Sequence, residues 1–131
     1  MNPSKLPTWL WVPRAIAAGI LLQTLYFKFT GAPESVYIFE TLGVEPYGRI
    51  LAGLAELLAA GLLLLRPRLG AALAAMVMLA AIASHLGPLG IVIASPERGI
   101  PSDGGLLFGL ALVTLLCALL VLWFGRRARA A

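Results

Sequence analysis

The chain has 131 residues and a net charge of +4, with 60% of its residues hydrophobic and only 12% charged. A soluble domain carries about 25% charged residues, so this chain has too little polar surface to cover a water-exposed globule, and lipid must be part of its solvent. The basic residues do not interleave with aromatics in a stripe, which excludes nucleic acid as a partner, and a single cysteine, Cys117, excludes an internal disulfide.

The first of four apolar runs covers about residues 8–30. It follows a short basic segment as a signal peptide would, but continues into the polar "YFKFT" end with no small-x-small site, and reads as a span. The connection "GAPESVYIFETLGVEP" comes next. Pro33 and Gly43 frame a short helix over about 33–43, with Val36, Phe39 and Leu42 on one side, lying on the membrane surface or folded over the mouth of a bundle. The second run, about 47–65, is joined to the third, about 69–93, by the tight basic turn "RPR", so the two form an antiparallel hairpin. The polar loop "SPERGIPSD" precedes the fourth run, about 104–124, which Ser102 or Asp103 can cap. Each run approaches or exceeds the roughly 20 residues a helix needs to cross the bilayer, and none alternates with the period of a strand. The expectation is one all-α domain over 1–131, a polytopic four-helix membrane bundle with a short amphipathic interfacial helix between spans one and two.

Charge sets the expected orientation. Four spans place the two termini and the Arg66–Arg68 turn on one side, with Lys5, Arg14, Arg126, Arg127 and Arg129. Lys28, Arg49 and Arg98 fall on the other side among Glu34, Glu40, Glu45, Glu97 and Asp103. The positive-inside rule then makes both termini cytoplasmic in a cell (inner) membrane and puts Trp9, Trp11 and Trp123 at the cytoplasmic interface.

Within the spans the costly residues are Gln23, Lys28, Glu56 and His85. A charge near the bilayer centre costs about 2.5–3.5 kcal/mol on insertion scales, so each needs a partner or a purpose. Counted at about 1.5 Å per residue from the non-terminal side, Gln23, Glu56 and His85 share a depth of roughly 10–14 Å, with Lys28 nearer the mouth. Small residues on the Glu56 face, Ala52, Gly53, Ala59 and Ala60, turn the carboxyl into the bundle. Pro88 should kink the third helix just beyond His85 and free backbone acceptors beside the ring. The expected site is a neutral His85 hydrogen-bonded to Glu56 or to a ligand held between them, with Lys28 close enough to balance the carboxylate, functional or a structural pair. Lys28 reads equally as a snorkelling anchor and Gln23 as interhelical glue. Tyr26 and Phe27 fit either a cavity wall or an aromatic belt, and Arg49 fits either a surface acid or an anionic head group. Ser84 should bond back to Ala80, and Thr114 and Cys117 should pack. No metal site is expected.

The segments "LLQTLYFKFTGAPES", "LGVEPYGRILAGLAELLAAGLLL" and "ASHLG", in this order and spacing, resemble the DoxX-like family over roughly residues 14–124. The resemblance makes Lys28, Glu56 and His85 the family's lysine, glutamate and histidine. It implies a four-helix membrane protein of the kind described as subunits of membrane oxidoreductase systems, such as thiosulfate:quinone oxidoreductase or a complex with superoxide dismutase and a sulfurtransferase. A eukaryotic relative is a chaperone for acetylcholine-receptor assembly. No motif would hold a nicotinamide, flavin, haem or iron–sulfur cluster, so no intrinsic cofactor is expected and any redox role depends on a quinone or a partner. Two functions compete. One is a subunit binding a quinone or other lipid-like ligand, alone as a homodimer or in a hetero-complex with a redox protein. The other is a membrane chaperone or assembly scaffold for client helices. A transporter is disfavoured, because four helices without an internal repeat offer little for alternating access.

Overall fold

The structure, a computed structural model, describes residues 6–130, with side chains described as far as residue 125. It is all-helical. Helix α1 spans Trp11–Thr30 after a 3₁₀ turn at Thr8–Leu10, α2 Pro33–Thr41, α3 Tyr47–Leu65, α4 Pro67–Ser84 and α5 Leu106–Ala130. Helices α1, α3, α4 and α5 are long and apolar enough to cross a membrane. They form a ring in which α1 and α4 each pack against both α3 and α5. Lys5 and the side chains of Arg126, Arg127 and Arg129, which entered the charge count, lie outside what is described.

Small residues decide how closely the helices approach. In the half of the bundle nearest the termini, Ala17 and Ala18 meet Ala59, Ala60, Ala71, Ala74 and Ala118, all buried. Lipid gives apolar helices no hydrophobic reason to associate, so this close backbone packing has to hold them together. Gly70 marks the tightest point: a Cβ there would stand 2.2 Å from the backbone nitrogen of Leu63. Large side chains such as Leu65, Leu69 and Met76 face outward, as lipid-facing positions do.

Two arginines pin the antiparallel α1–α3 pair at opposite ends. Arg14, in the first turn of α1, donates from Nε to the Leu63 carbonyl at 2.7 Å and from a terminal nitrogen to the Leu64 carbonyl at 2.8 Å. Arg49, in the first turn of α3, donates to the Lys28 carbonyl near the end of α1. The last carbonyls of a helix have no partner within it, and each helix here satisfies those of its neighbour.

Two spans differ from the expected bounds. The third was expected to run as one helix over about 69–93, but regular helix ends at Ser84. A π-helical turn, His85–Leu89, follows, with Gly87 off the helical region at φ −104° and ψ −114°. Pro88 has no N–H for the carbonyl one turn back, and Gly90 leaves the turn at φ 80°. The fourth was expected from about 104, but Gly104 and Gly105 both have positive φ and the helix begins at Leu106. Asp103 caps it, as one of two expected residues, accepting the N–H groups of Gly105 at 2.9 Å and Leu107 at 3.2 Å.

Helix α2 folds over the mouth of the bundle. The residues it turns to the cavity are Glu34, Ser35, Ile38 and Phe39, the last of which belongs to the apolar side read from the sequence. Ser35 is its buried residue. An exposed Arg98–Glu40 ion pair, with the Arg98 guanidinium 5.5 Å from the Tyr37 ring, ties α2 to the loop before α5.

Candidate functional site

The packing that seals the terminal half does not extend to the other half. There the four spanning helices and α2 enclose a cavity of about 550 Å³. Its size lies in the range of ordinary ligand pockets. Most of the wall is apolar, with Ile20 and Phe27 from α1, Met78 and Ala81 from α4, and Leu107 and Leu110 from α5. The polar groups converge from different elements. Gln23, Thr24 and Lys28 come from α1, Glu34 and Ser35 from α2, Glu56 from α3, Ser84 and His85 from α4, and Asp103 from the loop before α5.

Glu56 is buried and fully engaged on one oxygen. Its Oε2 lies 3.1 Å from the Lys28 ammonium and 2.8 Å from the Thr24 hydroxyl. Thr24 is also 2.9 Å from the Leu21 carbonyl of its own helix. A hydroxyl has one proton, and the carboxylate is the stronger acceptor, so that proton goes to Glu56. Gly53, one turn before Glu56, lets the Phe29 ring lie against α3: a Cβ there would be 2.7 Å from it.

His85 does not bond Glu56 directly, which corrects the first of the two expected arrangements. The turn that Pro88 forces brings the Gly90 carbonyl to 2.8 Å from His85 Nδ1, and the ring lies edge-on to Phe108 at 5.6 Å between centroids. A carbonyl only accepts, so Nδ1 carries the proton and a neutral ring keeps its lone pair on Nε2. The proline thus fixes the tautomer of the histidine, and the freed acceptor expected beside the ring is the Gly90 carbonyl.

The remaining expected residues separate. Lys28 and Gln23 line the cavity. Tyr26 does not: it is 70% exposed and packs edge-on against Phe27 on the outer surface of α1. Arg49 is held outside the cavity by Glu45, 2.9 Å from its Nε, and by the Lys28 carbonyl. Ser84 bonds to the Ala80 carbonyl at 2.8 Å, and Cys117 and Thr114 are buried in the packing. Among the described residues no group of side chains could hold a metal ion.

Four contributors, Thr24, Glu34, Ser35 and Asp103, were not anticipated. Thr24 stands four residues before Lys28, on the same face of α1, and that spacing could have revealed it. Glu34 and Asp103 were counted as loop and surface acids. Burial and the neighbouring Asp103 raise the Glu34 carboxyl above the usual range. Burial also favours the neutral form of Asp103, but the N–H groups of Gly105, Ile93 and Leu107, with His85 nearby, outweigh it and hold this carboxyl below the usual range.

Comparison with protein-family models, curated proteins and solved structures finds no match to this chain.

Proposed function

We propose that the chain is a DoxX-like integral membrane protein that binds a quinone or similar lipophilic ring in this cavity, as a subunit associated with a membrane oxidoreductase system. One observation carries the reading. A mostly apolar cavity of about 550 Å³ opens in the half of the bundle away from the termini, and polar groups from separate helices meet on its wall. A bundle built only for stability would continue its alanine packing through both halves, because voids forfeit contacts. Supporting it, Phe27 and Leu106 line the cavity and are also 50% and 60% exposed on the bundle surface. A ligand dissolved in the bilayer can enter past them. The positive-inside rule places both termini in the cytoplasm and the cavity in the outer leaflet of the cell membrane.

The alternative reading, a chaperone or assembly scaffold, has one observation in its favour: the Lys28–Glu56 pair is satisfied without a ligand. Native mass spectrometry of the protein released from its own membranes separates the two. An adduct with the mass of an isoprenoid quinone supports the ligand-binding reading. Release with a client protein and no small-molecule adduct overturns it in favour of the scaffold.

A further inference from the structure

Several polar groups on the cavity wall are already committed within the protein. Glu56 Oε2 is taken by Lys28 and Thr24, Asp103 by three backbone N–H groups, and Nδ1 of His85 by Gly90. Among the described residues no hydrogen bond reaches the Gln23 amide, the Ser35 hydroxyl or Glu56 Oε1, and two further groups are acceptors only: no hydrogen bond reaches Nε2 of His85, and Glu34 forms neither a hydrogen bond nor an ion pair. Both residues line the cavity, from α2 and from the bend after α4, and Asp103 is electrostatically coupled to both.

Neither of these two groups can donate. With its proton fixed on Nδ1, the neutral imidazole offers a lone pair at Nε2, and a carboxylate has nothing to donate. A ring bearing two carbonyls can accept from Gln23, Ser35 or Lys28, but it leaves His85 Nε2 and Glu34 unpaired. A ring bearing two hydroxyls donates to each. The spare Lys28 N–H groups do not reverse this, because a hydroxyl oxygen accepts from them as a carbonyl does. Leaving buried polar groups unpaired is how a site rejects one of two isosteric ligands.

We propose that the cavity selects the reduced, hydroxyl-bearing form of its aromatic ligand, an aromatic diol donating to His85 Nε2 and to Glu34, over the corresponding dicarbonyl. This rests on the ligand-binding reading above, and adds Glu34 as a specificity-determining residue. The selectivity depends on pH. The other charged and titratable groups on the cavity wall are Asp103 from the loop, which adds to burial in raising the Glu34 carboxyl, His85 from the bend after α4, Lys28 from α1 and Glu56 from α3. As pH falls through the raised range of Glu34, its carboxyl becomes a donor and the preference for the diol declines.

The test is anaerobic equilibrium binding of a decyl-substituted benzoquinone and its hydroquinone to the purified full chain in detergent. It is run at about pH 8 and about pH 4, the lower below the ordinary value of a glutamate carboxyl, which Glu34 exceeds. The wild type should bind the hydroquinone about tenfold more tightly at the higher pH, the lower end of what a hydrogen bond to a charged group gives. This corresponds to a rise of about 30 mV in the midpoint potential of the bound two-electron couple. The preference should fall away at the lower pH and in Glu34→Gln, whose amide can donate or accept. No described residue bonds Glu34, so the variant should fold, and retained quinone binding verifies that it has. Equal binding of the two forms by the wild type overturns the selectivity and leaves the pocket standing, and a preference that survives in Glu34→Gln overturns the role of Glu34. Binding of neither form by the wild type overturns the ligand reading itself.

Discussion

A carboxylate buried among membrane helices persists only if something keeps it company, and Glu56 has both an ammonium and a hydroxyl. Removing one partner of a buried pair leaves the other charge uncompensated, whereas removing both leaves neither. Glu56→Gln and Lys28→Met should therefore each lower the unfolding midpoint in detergent. The double variant should be less damaged than the sum of the singles, with a coupling of about 1–3 kcal/mol by thermal unfolding. Glu56→Gln combined with His85→Ala should be additive for stability without ligand, since these two residues share no bond. Coupling in the second cycle and none in the first would contradict the contacts described. Lys28, Glu56 and His85 were legible as residues because any ionisable group in so apolar a chain stands out. The balance of Glu56 by Lys28 was legible as well, but the partner of His85 was not. Depth along the helices placed Glu56 and His85 level, but the rotation that aims Glu56 at α1, and the backbone turn that gives His85 a carbonyl of its own, appear only once the chain is folded. Glu34 was invisible for another reason: an acid in the first turn of a short amphipathic helix looks like a surface residue until that helix folds inward.

At the scale of elements, the reciprocal arginine clamps explain how α1 and α3 keep their register with few large side chains between them. Arg14 entered the sequence reading only as one more positive charge, although an arginine in the first turn of an apolar helix already needs acceptors. Arg14→Met should cost about 2 kcal/mol of stability, the penalty of leaving buried carbonyls unpaired. Arg14→Lys should recover little of that loss, because one ammonium cannot reach two carbonyls with the guanidinium's fork. Midpoints from thermal unfolding in detergent measure both. A lysine variant as stable as wild type would show that charge, not the paired hydrogen bonds, holds the junction. The spans themselves were legible from hydropathy and length. Their ends were less so, since Gly87, Gly104 and Gly105 stop regular helix where apolar composition continues.

For the whole molecule the decisive feature is asymmetry, with one half sealed by alanine packing and the other holding a cavity beneath α2. The distribution of arginines predicts which half faces outward, and labelling tests it. In a Cys117→Ala background, expected to fold because Cys117 only packs, single cysteines replace Glu97 and Arg66, both exposed and at opposite ends of the bundle. An impermeant thiol reagent applied to intact cells should label the cysteine at position 97 and spare the one at position 66. The reverse pattern would put the cavity in the cytoplasmic leaflet.

The central claim is that the cavity takes a lipophilic ring, and filling it is the most direct test. Ala111 is buried on its wall, so Ala111→Phe projects a ring into the space a ligand would occupy. The measurement is the unfolding midpoint in detergent as a function of decyl-benzoquinone concentration. For the wild type the midpoint should climb steadily once the ligand exceeds its dissociation constant, as mass action requires of anything that binds only the folded state. For a folded Ala111→Phe it should stay flat. A wild-type midpoint that does not move, or a filled variant that rises in parallel with it, would contradict the account.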